Sequence, residues 1–219
     1  MKKRISFLIT IAAFVTISSC TKDPIISNDK NVGISRITYY ANIVLAGNSS
    51  ISIVKGTTFT EPGVSANAGG KDLPVITTGT VDAATIGIYT LSYSATNADG
   101  FSSSATRTVY VIPSAEVTGV DLSGDYMTTG GTPDATITKV APGVYYTTNC
   151  WGNGSTAIIP AYFFCPDGGT PVIPLQNGPA GHIETTGPGT YVGGLITWEV
   201  DRLDFDGGPL IKVKTWQKQ

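Results

Sequence analysis

Charge is scarce in this chain of 219 residues: Asp, Glu, Lys and Arg together make up 14% of it, against roughly 25% in ordinary soluble domains. The formal net charge is only −2, so the basic footprint of a nucleic-acid binder is missing. Histidine occurs once and cysteine three times, which leaves little material for a metal centre. No apolar run reaches the roughly 18 residues of a permanent membrane span, which excludes a polytopic membrane protein. Sustained 3.6-residue periodicity is also missing, which argues against a coiled coil or helical bundle. What the chain does have is 26 Gly, 13 Pro, abundant Ser and Thr, and a hydrophobic content of 41%. That is enough apolar material for a core, and it excludes a disordered polyelectrolyte. The length suits one or two domains.

Lys2, Lys3 and Arg4 form a positive start, and residues 5–17 are mostly apolar. A stretch of about 13 residues has the length of a signal-peptide core. It ends in Ile17-Ser18-Ser19-Cys20. An aliphatic residue, two small residues and a cysteine resemble the bacterial lipobox. The resemblance implies that residues 1–19 are a signal peptide, that the Cys20 thiol carries a diacylglyceryl group, and that the chain is cut just before it. The alternative is an ordinary cleaved signal peptide with a chance cysteine. Removing Lys2, Lys3 and Arg4 takes the 14 basic side chains to 11, against 16 acidic ones. Anionic lipid would repel that surface weakly, so membrane attachment must come from the acyl chains, of which more than one is needed. Thr21-Lys22-Asp23-Pro24 follows. An acidic residue soon after the lipidated cysteine resembles the surface-export signal of Bacteroides-type lipoproteins, although Asp23 stands alone where two acids are common. The expected location is the outer membrane, with the chain facing the cell exterior and the lipid anchor as its membrane contact.

Residues 20–34 are polar and read as a tether. From Arg36 onward, short runs rich in Val, Ile, Thr and Tyr alternate with Gly/Pro/Asn/Asp clusters, the signature of an all-β protein. The clearest element is Ile88-Tyr89-Thr90-Leu91-Ser92-Tyr93-Ser94-Ala95, where Tyr89, Leu91, Tyr93 and Ala95 form one face. That is the period-2 pattern of a half-buried strand. Asp99-Gly100 suits a turn, a second strand ends in Val109-Tyr110-Val111-Ile112, and Pro113 stops it. Residues 56–112 resemble the bacterial Ig-like domains of secreted and surface proteins. The resemblance rests on Phe59-Thr60-Glu61-Pro62-Gly63-Val64, Gly79-Thr80-Val81-Asp82, Gly87-Ile88-Tyr89-Thr90-Leu91-Ser92-Tyr93 and Arg107-Thr108-Val109-Tyr110-Val111. It implies an Ig-like β-sandwich over residues 35–113, a fold that serves as spacer, stalk or adhesion module. By analogy with related repeats Asp82 and Asp99 are calcium-ligand candidates, against a plainer role in turns.

Residues 114–118 read as a connector to a second β domain, 119–219, expected to be a β-sandwich or small β-barrel. Its candidate strands are 135–140, 143–151, 156–165, 190–201 and 210–216. The order of lipobox, tether, Ig-like domain and Gly/Thr-rich β domain resembles small accessory lipoproteins of Bacteroides-type glycan-uptake loci.

Cys150 and Cys165 lie at the ends of two adjacent candidate strands. The envelope permits disulfides, and a bridge over such a loop stabilises by about 3 kcal/mol; the alternatives are two buried thiols or a metal site. Exposed aromatics are the usual platform for sugar rings. Alternation puts Ile196, Trp198 and Val200 on one strand face, so Trp198 belongs to the core. Trp151 stands beside Gly152-Asn153-Gly154 with Tyr145 and Asn149 on its own face. Trp151, Tyr145, Asn149 and Asn153 are therefore the candidate ligand-binding residues, with rim packing as the plainer role of Trp151. Asp201, Asp204 and Asp206 resemble a calcium loop only superficially, since the distant Glu of an EF-hand is missing. His182 has no nucleophile motif around it, and Glu184 and Glu199 are no evidence of glycosidase geometry. The chain is expected to be non-catalytic, with no cofactor and no metal. The expected function is a surface binding or accessory module for glycan capture. The alternative is a structural or adhesion protein that contacts other envelope proteins.

Overall fold

The computed structural model describes residues 31–32, 35–128, 134–152, 157–179, 181–204 and 209–219. Cys20, Asn153 and Asp206 lie outside them. The chain divides into two units, Met1–Thr38 and Tyr39–Gln219. The described part of the first is a short antiparallel pair, β1 (Asn31–Val32) and β2 (Ser35–Arg36). The second holds β3 (Asn42–Leu45), β4 (Ser50–Val54), β5 (Val64–Ala68), β6 (Lys71–Asp72), β7 (Ile76–Thr78), β8 (Gly87–Thr96) and β9 (Ser102–Ile112). It continues with β10 (Gly124–Thr128), β11 (Asp134–Ala141), β12 (Val144–Thr147), β13 (Ala161–Phe164), β14 (Gln176–Gly178), β15 (Gly181–Thr185), β16 (Thr190–Val192), β17 (Leu195–Arg202) and β18 (Leu210–Lys218). The described residues are all-β.

The alternation read from residues 88–95 sets the first half. Leu91, Tyr93 and Ala95 are buried, and they pack with Val109 and Ala66 between two sheets ordered β3-β5-β6 and β4-β9-β8-β7. Strand β4 runs parallel to β9, and the other pairs are antiparallel. This is the expected Ig-like sandwich. Arg107 sits in its core, fully buried. Its Nε donates to Glu61 Oε1 at 3.0 Å, its Nη2 to the Ala46 carbonyl at 2.8 Å and the Gly63 carbonyl at 3.3 Å, and its Nη1 to the Asn48 carbonyl.

The second half is one antiparallel sheet ordered β13-β12-β11-β10-β18-β17-β15-β14, with β16 beside β17. Of the two architectures expected, it is a nearly closed barrel. Its edges meet through a bridge between Phe164 and Val172 and through a side chain. The Gln176 amide accepts the Tyr162 N–H at 2.9 Å and donates to the Tyr162 carbonyl at 2.7 Å. It stands in for a rung of backbone pairing where the ladder runs out. Tyr126, Ile137, Tyr145, Phe163, Ile183, Ile196, Trp198, Val200 and Trp216 alternate inward and fill the interior. The candidate strand 190–201 is two strands, broken at Gly193 and Gly194, whose φ values of 57° and 83° suit a tight hairpin turn. Strand β10 and the β14–β15 hairpin were not foreseen.

The two halves meet on the outward faces of their strands. Tyr110 and Ile112 of β9 pack on Ala141, Val144 and Phe164 of the barrel. Strands β12 and β13 are therefore covered on both sides at Val144 and Phe164, with Tyr145 and Phe163 facing the barrel interior. Residues 114–118 are tied down as well: Glu116 accepts from the Gly143 N–H at 3.0 Å and pairs with Lys139 at 2.7 Å.

Candidate functional site

The expected aromatic platform is not on the surface. Trp151 is 3% exposed, Tyr145 0% and Asn149 1%. After β12 the chain dips into the barrel mouth. Asn149 Oδ1 accepts the N–H groups of Trp151 at 3.0 Å, Gly152 at 3.3 Å and Ile159 at 3.1 Å. The Cys150 carbonyl accepts the indole N–H groups of Trp198 at 3.2 Å and Trp216 at 3.4 Å. Two cations approach the Trp151 ring, with Lys214 Nζ 4.1 Å and the Arg202 guanidinium 5.2 Å from its centre. Burial lowers the Lys214 pKa, and its ammonium donates to the Gly152 carbonyl at 3.2 Å. Gly152 leaves no room for a ligand: a Cβ there would lie 2.4 Å from Trp216 and 2.5 Å from Thr128. Tyr145 stacks on Phe163 at 5.3 Å and donates to the Val120 carbonyl at 3.3 Å. These residues plug the barrel and stabilise it.

The expected disulfide is likewise replaced by two buried free thiols. Strands β12 and β13 are adjacent as foreseen, but the antiparallel register pairs Val144 with Phe164 and Thr147 with Ala161. Cys165 therefore stands opposite Gly143, while Cys150 lies beyond the other end of the pair. The paired residues Val144–Thr147 alone span about 10 Å, already outside the Cα separation of roughly 7 Å that a bridge tolerates. Burial pushes both thiols up to about 12.

Asp82 and Asp204 have local partners. Asp82 accepts the Ala84 N–H at 2.9 Å, and bonds from Thr85 and Ala84 lower its pKa. Asp204 accepts both the backbone N–H of His182, at 2.9 Å, and the His182 ring Nδ1, and these bonds lower its pKa. Among the described residues no three His, Cys, Asp or Glu side chains come together as a metal site.

An open cleft of about 510 Å³ lies where the barrel seam meets β8 of the sandwich. Tyr146 and Tyr162, cross-strand partners on β12 and β13, place their ring centres 5.1 Å apart at 55°. Tyr110 supports Tyr162 from the sandwich side, at 5.5 Å. Leu175, Gln176 and Asn177 form one wall, and His182 stands on β15 with its Nδ1 held by Asp204. Its Nε2 is the ring nitrogen left for other contacts. Ile88, Pro160, Ala161, Gly178 and Pro179 complete the lining. No Asp, Glu, Lys or Arg is among these residues. Neither tyrosine was among the candidate ligand-binding residues expected from the sequence. The signal was present: Tyr146 and Tyr162 have the opposite parity to the buried Tyr145 and Phe163, and hairpin register brings them together.

The fold and cleft define an all-β protein in which an Ig-like sandwich carries a plugged barrel with an aromatic cleft at the junction. Residues 43–111 match the family described as bacterial surface protein, Ig-like domain, so the resemblance read on residues 56–112 holds and begins earlier. Among solved structures, the chain is similar to a lipoprotein of Bacteroides thetaiotaomicron, at 25% identity over 82% of this chain and 100% of that one, with a TM-score of 0.41. No protein of curated function matches.

Proposed function

We propose that this chain is a lipid-anchored, non-catalytic module of the bacterial cell surface that captures carbohydrate in the Tyr146–Tyr162 cleft. Cys20 in its lipobox supplies the outer-membrane anchor, and the match of residues 43–111 to a surface-protein family supports exposure to the exterior. The observation that carries the ligand reading is a cleft lined by two tyrosines, amides and an imidazole, with no Asp, Glu, Lys or Arg among the lining residues. Tyrosine rings stack on sugar faces while Asn177 and His182 offer bonds to hydroxyls. An uncharged lining suits a neutral sugar better than a sulfated or phosphorylated one. Neither Asp nor Glu is among the lining residues, whereas glycoside hydrolysis generally uses a carboxylate pair, which favours binding over turnover.

Stacking on one ring contributes about 1 kcal/mol or slightly more, so single-site affinity is weak and gains from many anchored copies on one surface. The test is a glycan array probed with the soluble Cys20→Ala chain and with the same chain carrying Tyr146→Ala. Neutral glycans should bind, and the substitution should weaken them about tenfold. Absence of binding to every glycan would discard the reading. The alternative, contact with another envelope protein, is favoured by Ile211 and Val213, which are 47% and 56% exposed on the outer face of β18. It gains if the array stays blank and Val213→Lys abolishes an envelope crosslink.

A further inference from the structure

Tyr39, Tyr40 and Phe101 stand 46%, 63% and 47% exposed, and the rings of Tyr40 and Phe101 lie 5.3 Å apart. The paired Tyr40 and Phe101 rings mark an interaction surface, and Tyr39, next in the chain, rests its ring against Gly69 of the β5–β6 turn. They sit on a stiff mount. Asn97, 6% exposed, donates from Nδ2 to the Tyr39 carbonyl at 2.8 Å, and its Oδ1 accepts the N–H groups of Asp99 at 3.1 Å and Phe101 at 2.8 Å. One buried amide therefore fixes both the segment that opens the folded unit and the turn that joins β8 to β9. The rings are held outward by the fold and are not frayed ends.

Their position along the sandwich is specific. The β8–β9 ladder runs from the Thr96–Ser102 rung beside this turn to the Gly87–Val111 rung beside the barrel. Nine steps of about 3.4 Å place the two ends about 30 Å apart. The aromatic tip and the cleft thus lie at opposite ends of the Ig-like domain. The chain from Cys20 enters the folded unit at Tyr39, within the tip itself, so the shortest path to a lipid anchor leads from this end.

From this placement we infer that Tyr39, Tyr40 and Phe101 form a foot that seats in the headgroup zone of the bilayer bearing the anchor, holding the cleft about 30 Å away from the lipid. The inference rests on the lipid-anchor reading. Aromatic rings with one apolar face and, for tyrosine, one wet end prefer that zone. Three rings alone bind weakly, but the acyl chains keep them close to the surface, which turns a weak contact into an intramolecular one. The Ig-like domain then works as an oriented post, where a free tether would let the cleft lie in any direction.

The test uses the full lipid-carrying chain with Phe101→Trp, bound to vesicles of phosphatidylethanolamine and phosphatidylglycerol with brominated acyl chains. Trp151, Trp198 and Trp216 are at most 3% exposed and provide a steady background. The introduced indole should shift to the blue and lose about half of its emission, as expected for a ring at the interface. The same reporter placed by Leu175→Trp, at a cleft residue 56% exposed, should remain unquenched. Flotation of the same sample reads the anchor separately. A chain that floats while the reporter at position 101 stays unquenched overturns the foot. Equal quenching at positions 101 and 175 overturns the orientation. A chain that does not float overturns the anchor reading, and this inference with it.

Discussion

Arg107→Met tests what holds the Ig-like post together. Methionine keeps most of the apolar stem and removes every donor. The Ala46 and Asn48 carbonyls and Glu61 Oε1 then lose their shared partner, while the Gly63 carbonyl keeps the Ala46 N–H at 2.9 Å. Each unpaired buried acceptor costs about 1–3 kcal/mol. The Glu61 side chain is 28% exposed, so water replaces part of what it loses, and the low end of that range applies. The expected loss is about 3 kcal/mol, in line with breaking a buried pair from one side. With a urea slope of about 2 kcal/mol/M, the midpoint falls by roughly 1.5 M, read by circular dichroism. Glu61→Gln is the control. It keeps an acceptor in the same place and removes only a partly solvated charge, so it should cost less than half as much. If Arg107→Met costs under about 1 kcal/mol, the clamp argument is refuted. If Glu61→Gln costs as much as Arg107→Met, charge and not hydrogen bonding holds the site.

Three further outcomes follow from the barrel. Cys150 and Cys165 should resist alkylation in the folded chain and react together once it is denatured. Because burial raises both to about 12 while unfolded thiols ionise near 9, their contribution is intact below about pH 9 and is lost as pH climbs toward 12; an alkaline unfolding titration reads this. Trp151→Ala should destabilise the barrel by about 3–5 kcal/mol, visible in thermal unfolding, with no selective effect on binding in whatever fraction stays folded. Gln176→Leu removes the amide that closes the seam and should cost about 2 kcal/mol, with faster amide exchange at Tyr162 than in the unaltered chain.

Much of the fold was legible from side-chain parity. Tyr89, Leu91, Tyr93 and Ala95 announced their strand, and Ile196, Trp198 and Val200 announced the barrel interior, because a residue facing a core must be apolar at every second position. What failed depended on register and on loops. Two cysteines near the ends of adjacent strands look bridgeable until the antiparallel pairing puts them at opposite ends. Trp151 beside Gly152 looked open to solvent, because nothing local shows that a chain leaving a strand turns inward. The clue was Asn149, whose carbonyl oxygen takes three backbone N–H groups, but an Asn after a strand is equally at home in a surface turn. The β14–β15 hairpin, with Asn177 and His182, is short and lies amid glycine and proline, so no alternation stands out. The cleft was hidden for a further reason: its walls come from the sandwich and the barrel, which are brought together by long-range packing.

The cleft is the centre of the account, and hydrogen exchange tests it most directly. The soluble chain would be compared with and without a saturating neutral glycan taken from the array. Slowed exchange confined to β12, β13 and β14, around Tyr146, Tyr162 and Asn177, is the expected result. Protection at the barrel mouth around Trp151, on the outer face of β18, or nowhere would contradict it.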